Sequence, residues 1–362
     1  MREKIQVLVL AAAFFIMTAI VWLKPSEEIS DSELRKLAQF PEVNTEKLLS
    51  GVFMSEFEAY SLDQFPAREA FRSIKAFAYL YLLGQSDNNG IYIEDGYAVK
   101  MEYPLSEDAV SYAISRFDNV YDRYLSGSDS KVYVAVIPDK NYYLADEHGA
   151  LTLDYDTLFS MVREGMDYAE YIDLTGTLSA EDYYKTDTHW NQISIKKTAD
   201  TIADAMGVSL DTDYTVVTLH QPFYGVYYGQ AALPLAPDTM QYLTNEAINS
   251  AYVYDWQNGK EINVYNEEAM NTRAPYDLFL GGSLSLITIE NDKAGNDREL
   301  IVFRDSFGSS MIPLLISGYS KITIVDIRYL SGDRLESFID FHGQDVLFMY
   351  STTVLNNGTT IK

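Results

Sequence analysis

The sequence predicts an α/β fold built on a largely parallel sheet with helices on both faces, and three observations carry that prediction. Runs at Lys131 to Pro138, Leu300 to Phe303, Lys321 to Ile327 and Asp345 to Tyr350 are short and rich in β-branched and aromatic residues, as strands buried on both sides are. Segments with helical spacing alternate with them, the arrangement that gives parallel strands and crossover helices. Two runs end in chemistry-bearing residues, Asp139-Lys140 after the first and Arg304-Asp305-Ser306 after the second. Ligands of open α/β sheets collect at such carboxyl ends.

The 362 residues suffice for a large core, and length alone allows up to three domains. A formal charge of -26 and a pI near 4.4 argue against a nucleic-acid partner, because phosphate binding relies on clustered Lys and Arg. The chain has no cysteine, which excludes disulfides, thiolate catalysis and sulfur-bound zinc. The 29 tyrosines and 17 phenylalanines suit sugar-binding surfaces, and they suit core and sheet packing better.

In chain order, Ile5 to Leu23 is an apolar run broken only by Gln6 and Thr18, long enough to cross a bilayer as a helix. Arg2 and Lys4 precede it, whereas Glu27, Glu28 and Asp31 follow. The positive-inside rule then places the N-terminus in the cytoplasm and the rest outside. No small-x-small cleavage site follows the run, so an uncleaved anchor is expected over a signal peptide. A stalk and helices are expected over 25–85, with Leu48, Leu49, Phe53, Phe57 and Tyr60 at roughly helical spacing. Arg68 to Leu83 reads as an amphipathic helix closed by Gly84, with Phe71, Ile74, Phe77, Ala78 and Tyr81 as its core face.

The rest, 86–362, is expected to form the α/β domain. Ile91-Tyr92-Ile93 and Tyr97-Ala98-Val99 flank Glu94-Asp95-Gly96 as a hairpin. Ser106 is the expected cap of a helix to Leu125, and Leu151 to Gly165 is the next helix. Tyr171 to Leu174 is a short strand, and Gln192 to Met206 a helix. A β-rich insertion near 208–297 is the least legible part. Its stretches Phe223 to Gly229 and Gly281-Gly282-Ser283 read as loops where backbone approaches something closely, or as bulges. A helix is expected around Asp333 to Phe341.

The chemistry concentrates in two stretches. Ile301 to Ser310 reads as strand, sharp turn and helix, with Gly308 allowing the turn. A serine there stands beside free helix N-terminal amides able to hold an oxyanion. The alternative is that Asp305 or Ser306 merely caps the helix. The second stretch runs from Lys185 to Asn191. In an extended segment Asp187 and His189 point the same way, so the carboxylate can fix the imidazole in one tautomer. A serine alcohol is a poor nucleophile until such a base takes its proton. The competing reading is a packed loop histidine bonded to Asp187. His148, His220 and His342 lack a carboxylate at comparable spacing, and no second cluster with metal-ligand spacing accompanies Asp187 and His189. Trp190 reads as packing and Asn191 as a helix cap.

With these motifs in place, the chain resembles the bacterial SGNH-hydrolase-like proteins of the DHHW group, similar to the alginate O-acetylation proteins AlgX and AlgJ. The matching residues run from Ser32 to Pro41, Asp63 to Arg68, Thr186 to Asn191, Arg304 to Gly308 and Val325 to Arg328. The resemblance implies a three-layer α/β/α sandwich whose triad order is permuted, with Asp and His before Ser. It makes Ser306 the nucleophile, His189 the base and Asp187 the orienting acid; no cofactor and no metal are expected. The group's namesake element has His where this chain has Thr188, a departure that leaves Asp187 and His189 in place. Gly281, Gly282, Arg328 and Tyr228, with the Ser306 amide, are the candidates for oxyanion or substrate contacts.

The activity so implied is serine-dependent O-acetyl transfer to a cell-surface or secreted polysaccharide. Acetyl-CoA is absent outside the membrane, so a multi-spanning membrane O-acyltransferase is the implied donor partner. A carbohydrate acetylesterase and a non-catalytic glycan-binding scaffold are the alternatives.

Overall fold

In the computed structural model, residues 2–30 and 32–362 are described; Asp31 and the side chain of Arg2, both used in the sequence reading, lie outside that description. The chain divides into one unit of residues 1–89 and 228–236 and another of 90–227 and 237–362.

The first unit begins with the helix Arg2–Leu23, whose window Lys4–Val21 has a mean hydropathy of 2.2 and no burial. Helices Thr45–Ser50 and Val52–Asp63 follow, then Arg68–Phe77 running into a π turn at Ala78–Leu82. The motif residues around Asp63 are structural: Asp63 accepts from Arg35 at 2.6 and 2.9 Å and from the Ala38 amide at 2.8 Å. That arginine holds the Asp63 carboxyl below its ordinary range. The expected core face of the Arg68 helix is not buried. Phe71, Ile74, Phe77 and Tyr81 are 49 to 64% exposed. The helix turns its arginines inward instead, Arg68 and Arg72 meeting Glu33 at 2.6 and 3.2 Å, and only Ala76 is fully buried.

The second unit is built on eight strands: β1 Val132–Ile137, β2 Glu170–Ile172, β3 Tyr252–Asp255, β4 Lys260–Ile262, β5 Leu286–Glu290, β6 Glu299–Arg304, β7 Lys321–Val325 and β8 Asp345–Ser351. Their order across the sheet is β4-β3-β5-β7-β6-β8-β1-β2. The five from β7 to β2 are parallel, and β5, β3 and β4 continue the sheet antiparallel. Part of the stretch expected as a β-rich insertion therefore extends the central sheet, and Thr215–Phe223 with Asp238–Thr244 forms a separate two-stranded ribbon.

Residue alternation makes the layers. Tyr133, Ala135 and Ile137 of β1, Leu300 and Val302 of β6, and Leu347 and Met349 of β8 join one core, packed against helices Lys196–Ala205 and Gly308–Leu315. Val132, Val134 and Val136, Ile301 and Phe303, and Val346 and Phe348 join the other, packed against Glu107–Val120 and Tyr155–Gly165. Successive side chains on a strand face opposite ways, so a fully apolar strand needs cover on both sides, and the result is a three-layer α/β/α sandwich.

The local signals resolve as follows. The hairpin forms over Ile91–Glu94 and Tyr97–Lys100, with positive φ at Asp95 and Gly96. Ser106 caps its helix by accepting from the Ala109 amide. Around Asp333 to Phe341 only a 3-10 segment, Gly332–Ser337, forms where a helix was expected. Asn191 does not cap a helix either: it accepts from the Ile193 amide at 3.3 Å, and the helix begins at Lys196.

Candidate active site

Ser306 follows β6 at the sheet's carboxyl edge, one residue before the turn into the helix Gly308–Leu315. Neither Asp305 nor Ser306 caps the helix, whose N-cap Phe307 gives it no side-chain bond. Asp305 instead holds the turn, its Oδ1 accepting from the Phe307 amide at 3.0 Å and its Oδ2 from the Ser351 amide at 2.7 Å. The Ser306 hydroxyl is thereby left for other work. Gly308 is required because a Cβ there would lie 2.7 Å from the Cβ of Arg304. The amides of Phe307, Gly308 and Ser309 are bonded within the turn, whereas the Ser306 amide meets no protein acceptor among the described residues.

Asp187 and His189 lie in a loop rather than an extended segment. Tyr183 bridges Trp190, the Tyr184 amide donates to the His189 carbonyl at 3.0 Å, and the chain between them bends. The bend lets Asp187 Oδ1 accept from both the His189 amide, at 3.0 Å, and its Nδ1, at 2.6 Å. His189 Nε2 lies 2.8 Å from Ser306 Oγ, across 117 positions of sequence. An ionised carboxylate only accepts, so Nδ1 carries the proton and Nε2 is free to accept from the serine. Burial alone would raise the Asp187 carboxyl, but the His189 imidazole and the His189 and Val226 amides outweigh it and hold it below 3.8.

The surroundings fix this geometry. One face of the His189 ring stacks on Tyr276 with centroids 3.8 Å apart, and Phe307 meets it at 4.9 Å. Tyr276 Oη and Trp190 Nε1 reach Ser310 Oγ at 2.7 and 2.8 Å, and Gln192 Nε2 donates to the Ser310 carbonyl at 2.7 Å. The histidine loop is thus pinned to the helix that follows the serine. On the other side, the Val226 amide donates to Asp187 Oδ2 at 2.9 Å, and the Gly225 amide donates to Thr186 Oγ1 at 3.0 Å. A Cβ on Gly225 would stand 2.2 Å from Asp187 Cβ. Lys140, at the carboxyl end of β1, is buried and donates to the carbonyls of Ala98, Tyr184 and Lys185 at 2.6, 2.9 and 3.3 Å. Burial brings its ammonium down from 10.5 to about 7.

The remaining candidates are placed differently. Gly282 spends its amide on the Phe279 carbonyl, and its own carbonyl accepts from Arg304 Nη2 at 2.8 Å and Ser309 Oγ at 3.2 Å. Neither arrangement offers an oxyanion donor. Gly281 and Gly282 adopt φ of 66° and 76°, and a Cβ on Gly282 would strike the Asp277 carboxylate. Arg328 forks onto Asp326 through Nε and Nη2 at 2.9 and 2.6 Å, so its guanidinium is occupied by the protein itself. Tyr228 belongs to the other unit. Among the described residues no third carboxylate or imidazole joins Asp187 and His189 as a metal ligand set. Sequence reasoning missed Tyr276, Ser310 and Lys140 as props and Asp277 as a neighbour. It flagged the Gly225 loop as one of close approach.

No family model and no curated protein matches the chain. Solved structures do. A DHHW family protein from Eubacterium siraeum superposes with a TM-score of 0.59 at 23% identity, over 76% of this chain and 95% of that one. PatB1 of Bacillus cereus, solved with a sulfonyl adduct, gives 0.57 at 18% identity, over 73% and 94%. The O-acetyltransferase domain of Pseudomonas putida AlgJ matches more loosely, at 0.45 and 15% identity over 74% and 92%. The resemblance first seen in the motifs thus extends to three dimensions, and the chain has the fold of the DHHW family protein and of PatB1.

Proposed function

We propose that the protein is an extracytoplasmic serine O-acetyltransferase that modifies a cell-surface or secreted polysaccharide. The observation that carries this is the hydrogen-bonded chain Asp187–His189–Ser306, with separations of 2.6 and 2.8 Å. Such a chain activates an alcohol as a nucleophile. Ser306 Oγ attacks the acetyl carbonyl of the donor and passes its proton to His189 Nε2, which hands it to the departing donor group. The Ser306 amide, which meets no protein acceptor among the described residues, is the first oxyanion donor. In the second half, a sugar hydroxyl gives its proton to Nε2 while its oxygen attacks the acetyl-serine. The new ester leaves, and Ser306 Oγ recovers the proton.

The choice of acetyl and of polysaccharide rests on the motif resemblance and the fold. The apolar helix Arg2–Leu23 and its flanking charges support a single-pass membrane protein with an outward-facing α/β domain. A multi-spanning acyltransferase is the corresponding source of acetyl groups. The test is acetyl transfer from p-nitrophenyl acetate to oligosaccharides by the full chain in detergent, with free acetate measured alongside. Transfer that vanishes in Ser306→Ala supports the reading. Acetate release without transfer assigns an esterase, and undiminished turnover by Ser306→Ala removes the nucleophile from the account.

A further inference from the structure

The second unit has an open cavity of about 450 Å³, lined in part by Asp277, that the steps above do not use. Its connection to the candidate active site runs through Asp277. That residue directly follows Tyr276, whose ring stacks on His189, and its carboxylate packs against the backbone of Gly282. Gly282 in turn accepts from Arg304 and Ser309, the residues that bracket the Ser306 turn. Asp277 is half-buried and has no hydrogen-bond donor among the described residues. Both His189 and Arg304 act on it electrostatically, and burial raises its carboxyl above 3.8.

The walls beyond Asp277 are polar and acidic. Asp255, Glu268 and Asp277 face a single lysine, Lys260. Asp255 is already satisfied, since its oxygens accept from the Gln257 and Asn258 amides and from Asn258 Nδ2. Glu268 and Asp277 therefore remain as acceptors, and Asn263 and Asn266 line the rim with exposed amides. Ile262 and Leu284 supply a short apolar wall. Acceptor carboxylates, side-chain amides and a small apolar face suit the hydroxyls, amines and ring face of a sugar. A uronic acid placed there meets like charge in a half-buried site, on a protein whose overall charge is already -26.

From this we propose that the cavity is the acceptor subsite and that it takes a non-acidic glycan, one bearing hydroxyls and amines, with Asp277 accepting from the sugar nearest Ser306. The proposal rests on the transferase reading for its purpose, and binding tests it separately from chemistry. The full chain carrying Ser306→Ala is titrated at low ionic strength with a glucosamine oligomer and with an oligogalacturonate of equal length. The glucosamine oligomer binds at least about tenfold more tightly, and the gap narrows as salt is added. Adding Asp277→Asn weakens glucosamine binding about tenfold, and Glu268→Lys on the exposed rim raises oligogalacturonate binding, which guards against a folding artefact at the half-buried site.

Equal or tighter binding of the oligogalacturonate overturns the subsite, as does glucosamine binding that ignores Asp277. The two readings fail independently. A wild-type chain whose Ser306 is labelled by a sulfonyl fluoride but which shows no such preference loses the subsite alone. A chain with the preference and an unreactive Ser306 loses the transferase.

Discussion

Replacing Asp187 by Asn tests the catalytic geometry with almost no change in volume. The carboxylate accepts three N–H bonds: Oδ1 from the His189 amide and Nδ1, and Oδ2 from the Val226 amide. An amide has a single oxygen, so one side must set N–H against N–H. If the oxygen stays on His189, the Val226 amide loses its buried acceptor, which costs about 1–3 kcal/mol of stability. If the amide nitrogen turns to His189, Nδ1 becomes the acceptor, Nε2 takes the proton, and the base for Ser306 is gone. In either case the imidazolium formed during the reaction loses its neighbouring charge. A serine triad with this change loses roughly 10⁴ in kcat, which is about 5.4 kcal/mol at 1.36 kcal/mol per decade. The assay is steady-state turnover of p-nitrophenyl acetate beside a thermal melt. Asp187→Asn turning over within about threefold of wild type would refute the orienting role.

Three further variants test the contacts around this site. Gly225→Ala places a methyl 2.2 Å from Asp187 Cβ, so about 1–3 kcal/mol of stability and most turnover are lost; melts and kinetics check this, and an unperturbed variant contradicts the packing. Lys140→Met leaves the carbonyls of Ala98, Tyr184 and Lys185 without their donor, lowering the melting temperature and loosening the chain that leads to Asp187. Because folding drops this lysine from 10.5 to about 7, the unfolded chain binds more protons between those values. Wild-type stability relative to Lys140→Met therefore rises from pH 7 towards 10.5, and a flat difference across that window contradicts it. Tyr276→Leu removes the ring stacked 3.8 Å from His189 and should cut kcat about tenfold or more while substrate KM changes little; an unchanged kcat would deny the prop.

Much of the fold was legible because the four apolar runs are strands buried on both faces, where periodicity and composition agree. The antiparallel edge was not: Tyr252–Asp255 and Lys260–Ile262 are short, half-exposed strands whose place is set by pairing with Leu286–Glu290. The Arg68 helix misled because its apolar spacing marks a face without saying that this chain covers it, while ion pairs to Glu33 turn the opposite face inward. Ser306, His189 and Asp187 stand out through local signals, a turn after a strand and a two-residue spacing. The residues that steady them do not. Tyr276 lies in the 3-10 turn Pro275–Leu278 with no periodicity to mark it, and Arg328, a candidate substrate contact from its place after a strand, is instead taken up by Asp326 two residues before it. Gly225 carried a readable sign, since a glycine in an aromatic loop asks what its backbone approaches.

The central claim is that one serine, activated by one histidine, does the chemistry. Intact-mass and peptide mapping of the full chain after treatment with a sulfonyl fluoride tests it most directly. The account predicts a single adduct on the peptide containing Ser306, formed at least about a hundredfold more slowly in His189→Ala. An adduct elsewhere with Ser306 unmodified, or labelling at Ser306 that proceeds equally fast without His189, would contradict it.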